Sequence, residues 1–282
     1  MKFIRKIKGF SYVVGDYRLK FPKKHKLPIY QMQYKNYDKA LKSIIYSIEK
    51  YSNKGTIIDI GANIGDTAAY IRSFSTSRII CVEGDGLYLK YLKKNMKMLP
   101  DILIYPTFLS GRDRIAHYDV VRLGRGTAKL TQSDQDAGSS VINFVSLSEI
   151  LRDNEILPDS LELIKIDTDG FDFDILLANE PIIKEYKPNL YFEYDINFNE
   201  RNELDSLEVI KMLESLGYGF VIYDNFGNLM NIVENECERE FIKLNRYITS
   251  CRKNGGGIHY CDVFATRNQQ IRYGIEENEK QS

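Results

Sequence analysis

Two stretches of the chain carry residue types spaced for binding and transfer chemistry. In the first, the apolar run Ile57-Ile58-Asp59-Ile60 leads directly into Gly61-Ala62-Asn63-Ile64-Gly65-Asp66-Thr67. A strand that turns at once into a helix needs glycine for steric reasons. Gly61 allows a sharp reversal or close approach of a ligand, and Gly65 lets the helix start lie near strand and ligand. Free amide groups at such a helix start can bind an anion. Glu83 ends the next apolar run, Arg78 to Val82, at the place where nucleotide-binding α/β folds set a carboxylate against ribose hydroxyls. In the second stretch, Asp167 and Asp169 follow Leu163 to Ile166, while Glu193 and Asp195 end the run that starts at Leu190. Carboxylates at adjacent strand ends would face one cleft, where they suit a general base for a hydroxyl or a pair of oxygen ligands for a divalent ion. Helix capping is the competing role for Asp167 and Asp169, because the helical pattern Phe173 to Ala178 follows them.

The anion suited to the first stretch is small. A dinucleotide enzyme would show Gly-x-Gly-x-x-Gly, but Asn63 occupies the place of the second glycine and Ile64 separates it from Gly65. A carboxylate such as that of a methionine moiety fits the reduced space better than a pyrophosphate. Among the histidines, His259 starts the final strand after Gly255-Gly256-Gly257, a run expected to form a mobile loop tip near substrate. His25 reads as structural, and His117 as a solvated or core residue.

The elements that must position these residues alternate. Apolar runs at Thr56 to Ile60, Arg78 to Val82, Ile102 to Tyr105, Leu163 to Ile166, Leu190 to Glu193, Gly219 to Tyr223 and Tyr260 to Ala265 predict seven strands. Helical patterns at Tyr37 to Tyr51, Leu87 to Met98, Ser146 to Leu151, Phe173 to Ala178 and Ser206 to Leu216 lie between most of them. The expected architecture is a Rossmann-like α/β domain: a mostly parallel seven-stranded sheet with helices on both faces. Only a long loop, Asp224 to Gly257, is expected between the last two strands, which makes the final strand antiparallel.

Composition bounds the alternatives. At 43% hydrophobic and 28% charged residues, the 282-residue chain is neither disordered nor fibrous. Its 39 basic and 39 acidic residues give no global field for nucleic acid. The balance is local: from Met1 to Lys42 basic residues face only Asp16 and Asp38. That stretch reads as a basic arm, either simply solvated or touching anionic lipid or an anionic glycan. The expected organisation is an arm over 1–36, a catalytic domain over 37–267 and a polar tail over 268–282. Cys81, Cys237, Cys251 and Cys261 lack metal-knuckle spacing and read as reduced structural thiols. No run of about 18 apolar residues or signal-peptide pattern occurs, so a cytoplasmic location is expected.

With these residues in view, the chain resembles the FkbM family of S-adenosylmethionine-dependent methyltransferases. The resemblance is carried by Asp59 to Thr67, by Cys81-Val82-Glu83-Gly84, by Leu163-Ile164-Lys165-Ile166-Asp167-Thr168-Asp169-Gly170, by Tyr191-Phe192-Glu193 and Gly217-Tyr218, and by Tyr260 to Ala265. It spans roughly 37 to 267, with Asp169 standing where the family has a glutamate. It implies a class I methyltransferase fold with S-adenosylmethionine held by Asp59, Gly61, Asn63, Gly65, Asp66, Thr67, Glu83 and Gly84. Asp167, Glu193 and His259 are the expected catalytic residues, with or without a divalent metal. The resemblance also implies a sugar, surface glycan or glycosylated metabolite as the hydroxyl acceptor. The alternatives are a nicotinamide-dependent oxidoreductase and a non-catalytic glycan-binding or scaffold protein that keeps a nucleotide pocket.

Overall fold

The computed structural model describes residues 9–52, 55–109, 111, 118–124, 127–132 and 144–280. The chain opens with an antiparallel hairpin of β1 (Phe10–Val14) and β2 (Tyr17–Phe21). A short helix α1 (Leu27–Gln33) and a longer α2 (Lys39–Tyr51) follow. In α2 the apolar Ala40, Leu41, Ile44, Ile45 and Ile48 recur at helical spacing and are all buried.

The alternating unit then begins with β3 (Thr56–Ile60), α3 (Asp66–Arg72), β4 (Arg78–Val82), α4 (Gly86–Asn95) and β5 (Ile102–Tyr105). Past it lie β6 (Phe108–Leu109), β7 (Tyr118–Gly124), β8 (Thr127–Gln132) and β9 (Phe144–Val145). Here β7 and β8 pair as an antiparallel hairpin, and β6 pairs with β9. His117 lies outside the described residues. The second half runs α5 (Leu147–Asp153), β10 (Leu161–Ile166), α6 (Asp172–Ala178), α7 (Glu180–Tyr186), β11 (Asn189–Tyr194), α8 (Asn202–Ser215) and β12 (Gly219–Asp224). It ends with β13 (Leu229–Val233), α9 (Cys237–Lys253), β14 (Cys261–Thr266) and α10 (Gln269–Lys280).

One eight-stranded sheet, in the order β13-β12-β14-β11-β10-β3-β4-β5, organises the molecule. The strand order reverses between β3 and β10, the switch point where α/β folds bind ligands beyond the carboxyl ends of their strands. All seven expected strands are present, and β14 runs antiparallel between β11 and β12. The eighth strand, β13, adds a second antiparallel member at the edge. Successive side chains along a strand face opposite sides, so the sheet divides the interior into two apolar clusters. Ile58, Ile60, Ile166 and Phe192 belong to one; Ile57, Leu163, Val221 and Phe264 belong to the other.

Three expectations change. The segment from Asp224 to Gly257 is not a loop, since it contains β13 and the 17-residue α9. The glycine run ends that helix: Gly255 takes a φ of 74°, and the Gly256 amide donates to the Cys251 carbonyl at 2.7 Å. This is a Schellman-type stop. In the expected polar tail, Gln269–Lys280 form a helix, because Ile271 and Ile275 recur at helical spacing and bury against α2 and its neighbours.

The hairpin of β1 and β2, too, is part of the core. Val14, Leu19 and Phe21 are buried in the cluster that contains α2 and α3, while the basic side chains between them face out. Asn95 fastens the hairpin: it accepts from the Lys20 amide at 2.8 Å and donates to the carbonyls of Lys20 at 3.0 Å and Ile64 at 2.9 Å. Phe21→Ala is therefore expected to destabilise the protein by about 3–5 kcal/mol in urea unfolding. A change below about 1 kcal/mol would mean that the hairpin only rests on the domain.

Candidate functional site

At the switch point a cleft opens over the ends of β3, β4 and β10. Gly61, Asn63, Glu83, Gly84, Asp85, Tyr88, Thr107, Phe108, Phe144, Asp167, Thr168 and Asp169 are among the residues that line it. Gly61 has a φ of 80°, and a Cβ there would overlap the Asp167 carbonyl, so the close approach it permits is that of β10. Gly65, with a φ of 85°, makes room for Met96 and Leu92 and does not face the cleft. Of the other expected cofactor residues, Gly61, Asn63, Glu83 and Gly84 line the cleft, while Asp59 is buried beneath it and Asp66 and Thr67 lie in the first turn of α3.

Glu83 is the best-defined side chain in the cleft. Its carboxylate accepts the Asn63 amide at 2.8 Å and the Asp85 amide at 2.6 Å. Burial pushes its carboxyl up to about 7, although these two amides oppose the rise. Two fixed oxygens at the end of β4 suit a ligand with paired hydroxyls. Asp85 in turn caps α4 through the amides of Leu87 and Tyr88. Beyond Glu83, Thr107, Phe108 and Phe144 form a wall with two aromatic rings, whose centroids are 6.2 Å apart. That wall was not readable from the sequence.

Behind Asp167 the sheet presents one polar face. Asp59, Lys165 and Tyr191 stand side by side in the register of β3, β10 and β11, and Glu193 is paired with Asp262 of β14. The Lys165 ammonium lies 3.3 Å from Asp59 and 3.2 Å from Asp167. Burial alone would lower it, but Asp167, Asp59 and Asp66 outweigh that penalty and hold Lys165 above its ordinary value. Asp38, just before α2, accepts from Gln31 at 2.9 Å, and burial lifts its carboxyl to about 7. Burial also raises Asp262, to about 8, and Glu193 well above the carboxylate range, with Asp167 adding to both. Sequence reasoning singled out neither Lys165, Asp38 nor Asp262 for a role, because their meeting depends on strands and a linker far apart in the chain. Among the described residues no three histidine, cysteine, aspartate or glutamate side chains are placed to hold a metal ion.

The residue at the N-cap of α6 is Phe171, which makes no side-chain cap. Asp172 binds the loop instead, accepting from the Thr168 amide at 3.1 Å, the Thr168 hydroxyl at 2.7 Å and the Glu193 amide at 3.3 Å. It thereby joins the end of β10 to β11. His259 is exposed, its amide donating to Asn225 at 3.1 Å, and it lies near Asp195, which pairs with Arg252 at 3.5 Å. His259 is not among the residues lining the cleft.

The family model described as Methyltransferase FkbM domain matches residues 59–220, which include Gly61, Glu83, Asp167 and Glu193. No curated protein matches the chain. Among solved structures, it is similar to a precorrin-6Y C5,15-methyltransferase from Geobacter metallireducens, with 12% identity over 81% of this chain and 87% of that one, at a TM-score of 0.39. It is also similar to a methyltransferase FkbM from Methylobacillus flagellatus, with 13% identity over 85% of this chain and 58% of that one, at a TM-score of 0.43. The corresponding values for M. jannaschii TYW2 in complex with AdoMet are 9% identity, 92% and 86% coverage and a TM-score of 0.40.

Proposed function

Because the chain belongs to the FkbM methyltransferase family, we propose that it transfers a methyl group from S-adenosylmethionine to a hydroxyl oxygen of a sugar or glycosylated acceptor. The observation that carries the site assignment is Glu83, a buried carboxylate held by two backbone amides at the wall of the cleft. It offers two fixed acceptors to ribose hydroxyls, and the Phe108 and Phe144 rings offer a surface to a base.

S-adenosylmethionine supplies a methyl carbon already activated by a sulfonium. What remains for the protein is to align an acceptor oxygen in line with the carbon–sulfur bond and to receive its proton. As the oxygen–carbon bond forms, the carbon–sulfur bond breaks and the sulfur leaves as a neutral thioether. Alignment can supply several of the roughly 7–11 kcal/mol available from orientation. A base adds about 10²–10⁴-fold. Asp167 lines the cleft, whereas Glu193 of β11 is outside that lining and pairs with Asp262 on the neighbouring β14, so Asp167 is the proton acceptor this reading favours.

The nicotinamide alternative is disfavoured by Asn63, whose side chain stands in the turn where the dinucleotide fingerprint places a glycine. A scaffold protein would bind the cofactor without turnover. Both alternatives are tested by intact-mass analysis of candidate sugars incubated with the protein and S-adenosylmethionine. The expected result is a product heavier by one methylene unit, and none appearing with any glycan acceptor would sink the sugar assignment. Glu83→Ala should weaken S-adenosylhomocysteine binding by about 1–3 kcal/mol in calorimetry, since ribose loses a charged partner. Unchanged affinity would remove Glu83 from the cofactor site.

A further inference from the structure

We infer that the outward face of α4, extended by the hairpin packed beside it, docks on an anionic lipid surface. Lys93, Lys94 and Lys97 follow Lys90 by three, four and seven residues, which puts all four on one face of α4 and of the helical turn Met96–Met98 that continues it. Tyr88, Leu92 and Asn95 are buried on the opposite face, and the four lysines are exposed. The row is about 10 Å long. Asn95 ties β2 to the same helix through the backbone of Lys20. The outward residues of β2, Arg18 and Lys20, therefore lie beside α4, and Lys23 and Lys24 follow in the exposed turn.

Little on this face balances the charge. α4 contains no carboxylate, and Asp85 before it is buried and accepts from the amides of Leu87 and Tyr88. From Phe10 to Lys26 the acid is Asp16 alone. Among the described residues none of the four lysines forms an ion pair, whereas α9 pairs its cations: Arg239 with Glu236 and Lys243 with Glu240, each at 2.6 Å. A merely solvated face mixes both signs, and like charges three and four apart on a helix repel. A row that bears this repulsion suits an anionic partner. Seven of these eight cations are lysines, point charges without the planar fork with which arginine grips single phosphates, and they suit the diffuse potential of a headgroup layer. Met98, 57% exposed, directly follows Lys97, and Val13, 46% exposed, is the cross-strand neighbour of Arg18. Apolar side chains in a basic face can enter the boundary between headgroups and acyl chains, a place that a polyanion in water does not offer. α4 begins at the cleft, with Asp85 and Tyr88 in the lining, so docking brings the cleft beside the surface. Such docking requires nothing of the cofactor or acceptor assignments.

The test is sedimentation of the full chain with vesicles of phosphatidylcholine, alone or with about one third phosphatidylserine. Binding is expected only with phosphatidylserine, and should fall at least about tenfold between about 0.05 and 0.5 M salt. Each lysine near such a surface is worth about fivefold in partitioning. Lys90→Gln, Lys93→Gln and Lys94→Gln combined should therefore weaken binding by at least about tenfold, and the three glutamate replacements by at least about a hundredfold. The glutamine set adds no charge and decides the matter if the glutamate set does not fold. Lys243→Gln with Lys253→Gln, on a helix across the sheet from α4, should leave binding within about twofold. Failure to sediment with phosphatidylserine vesicles would overturn the proposal. So would equal binding to phosphatidylcholine alone, or binding that the glutamine set leaves unchanged. Binding to heparin or duplex DNA without binding to the vesicles would give the face to a soluble polyanion and overturn it likewise.

Discussion

Asp167→Asn is expected to lower kcat by about 10²–10⁴-fold while S-adenosylhomocysteine affinity changes by less than about tenfold. The Asp167 side chain is 54% exposed at the cleft, and Lys165 engages its Oδ2 at 3.2 Å. Lys165 is itself almost fully buried and shared with Asp59, so the contact orients the Asp167 carboxylate without enclosing it. The variant leaves shape and hydrogen bonding almost unchanged but removes the charge. If Asp167 takes the acceptor proton, the loss depends on pH and cofactor binding persists. If it holds the cofactor's amino group, the loss appears in binding. If it holds a divalent ion, wild type is silenced by chelators and restored by magnesium or manganese. Normal turnover by folded Asp167→Asn with its true acceptor would assign the residue a structural role only. Lys165→Met is the less clean probe. It leaves Asp59 buried with no described partner, a change of about 3–5 kcal/mol in stability that would mask any effect on rate.

The parts of this site that were legible in the sequence are those whose geometry is local. Thr56–Ile60 reads as a strand because five consecutive residues are buried on both faces, and Gly61 and Gly65 punctuate the turn that follows. Glu83 was found by its place at the end of the next strand. The hairpin at the start of the chain escaped notice because its period-2 pattern is short and its outward positions are basic. In Tyr17–Phe21, only Leu19 and Phe21 are buried, and a count of charges hides them. The 17 residues of α9 read as a loop because their composition is polar, yet Cys237, Phe241 and Ile248 fall on one buried stripe. Least legible were the long-range meetings. Asn63 and His25 are brought together by a docked hairpin, and Asp38 reaches the face that carries Glu193 and Asp262 through the linker before α2. No spacing in the sequence encodes such contacts.

Stability is expected to fall as pH rises from about 5.5 to about 8.5, opposite to the behaviour of a protein held by salt-bridged carboxylates. Burial lifts Asp262 to about 8, Asp38 and Glu83 each to about 7, and Asp172 to about 6. In the unfolded chain all four titrate near 4. Between that value and their folded values the native state keeps protons that the unfolded state has released, so each rise in pH favours unfolding. The contribution is complete below about pH 4 and is lost as pH climbs through about 6 to 8. A single carboxyl that holds its proton over one further pH unit in the native state accounts for about 1.4 kcal/mol. Asp262, Asp38 and Asp172 lie near Asp167 and one another, titrate as a set, and together lose less than independent groups would. A loss of at least about 3 kcal/mol across the range is expected from urea unfolding, and several degrees from thermal melts. Asp262→Asn should flatten the upper part of the slope, because the amide is neutral at every pH. Stability that stays level or rises over this range would show that the buried acids do not retain their protons. On the proposed reading, saturating S-adenosylmethionine would bring a sulfonium and an ammonium to Asp167 and its acidic neighbours, where they would favour ionised carboxylates. Its stabilisation should therefore be larger at about pH 8.5 than at about pH 5.5, and an equal melting shift at both would separate the cofactor's cationic end from this acidic face.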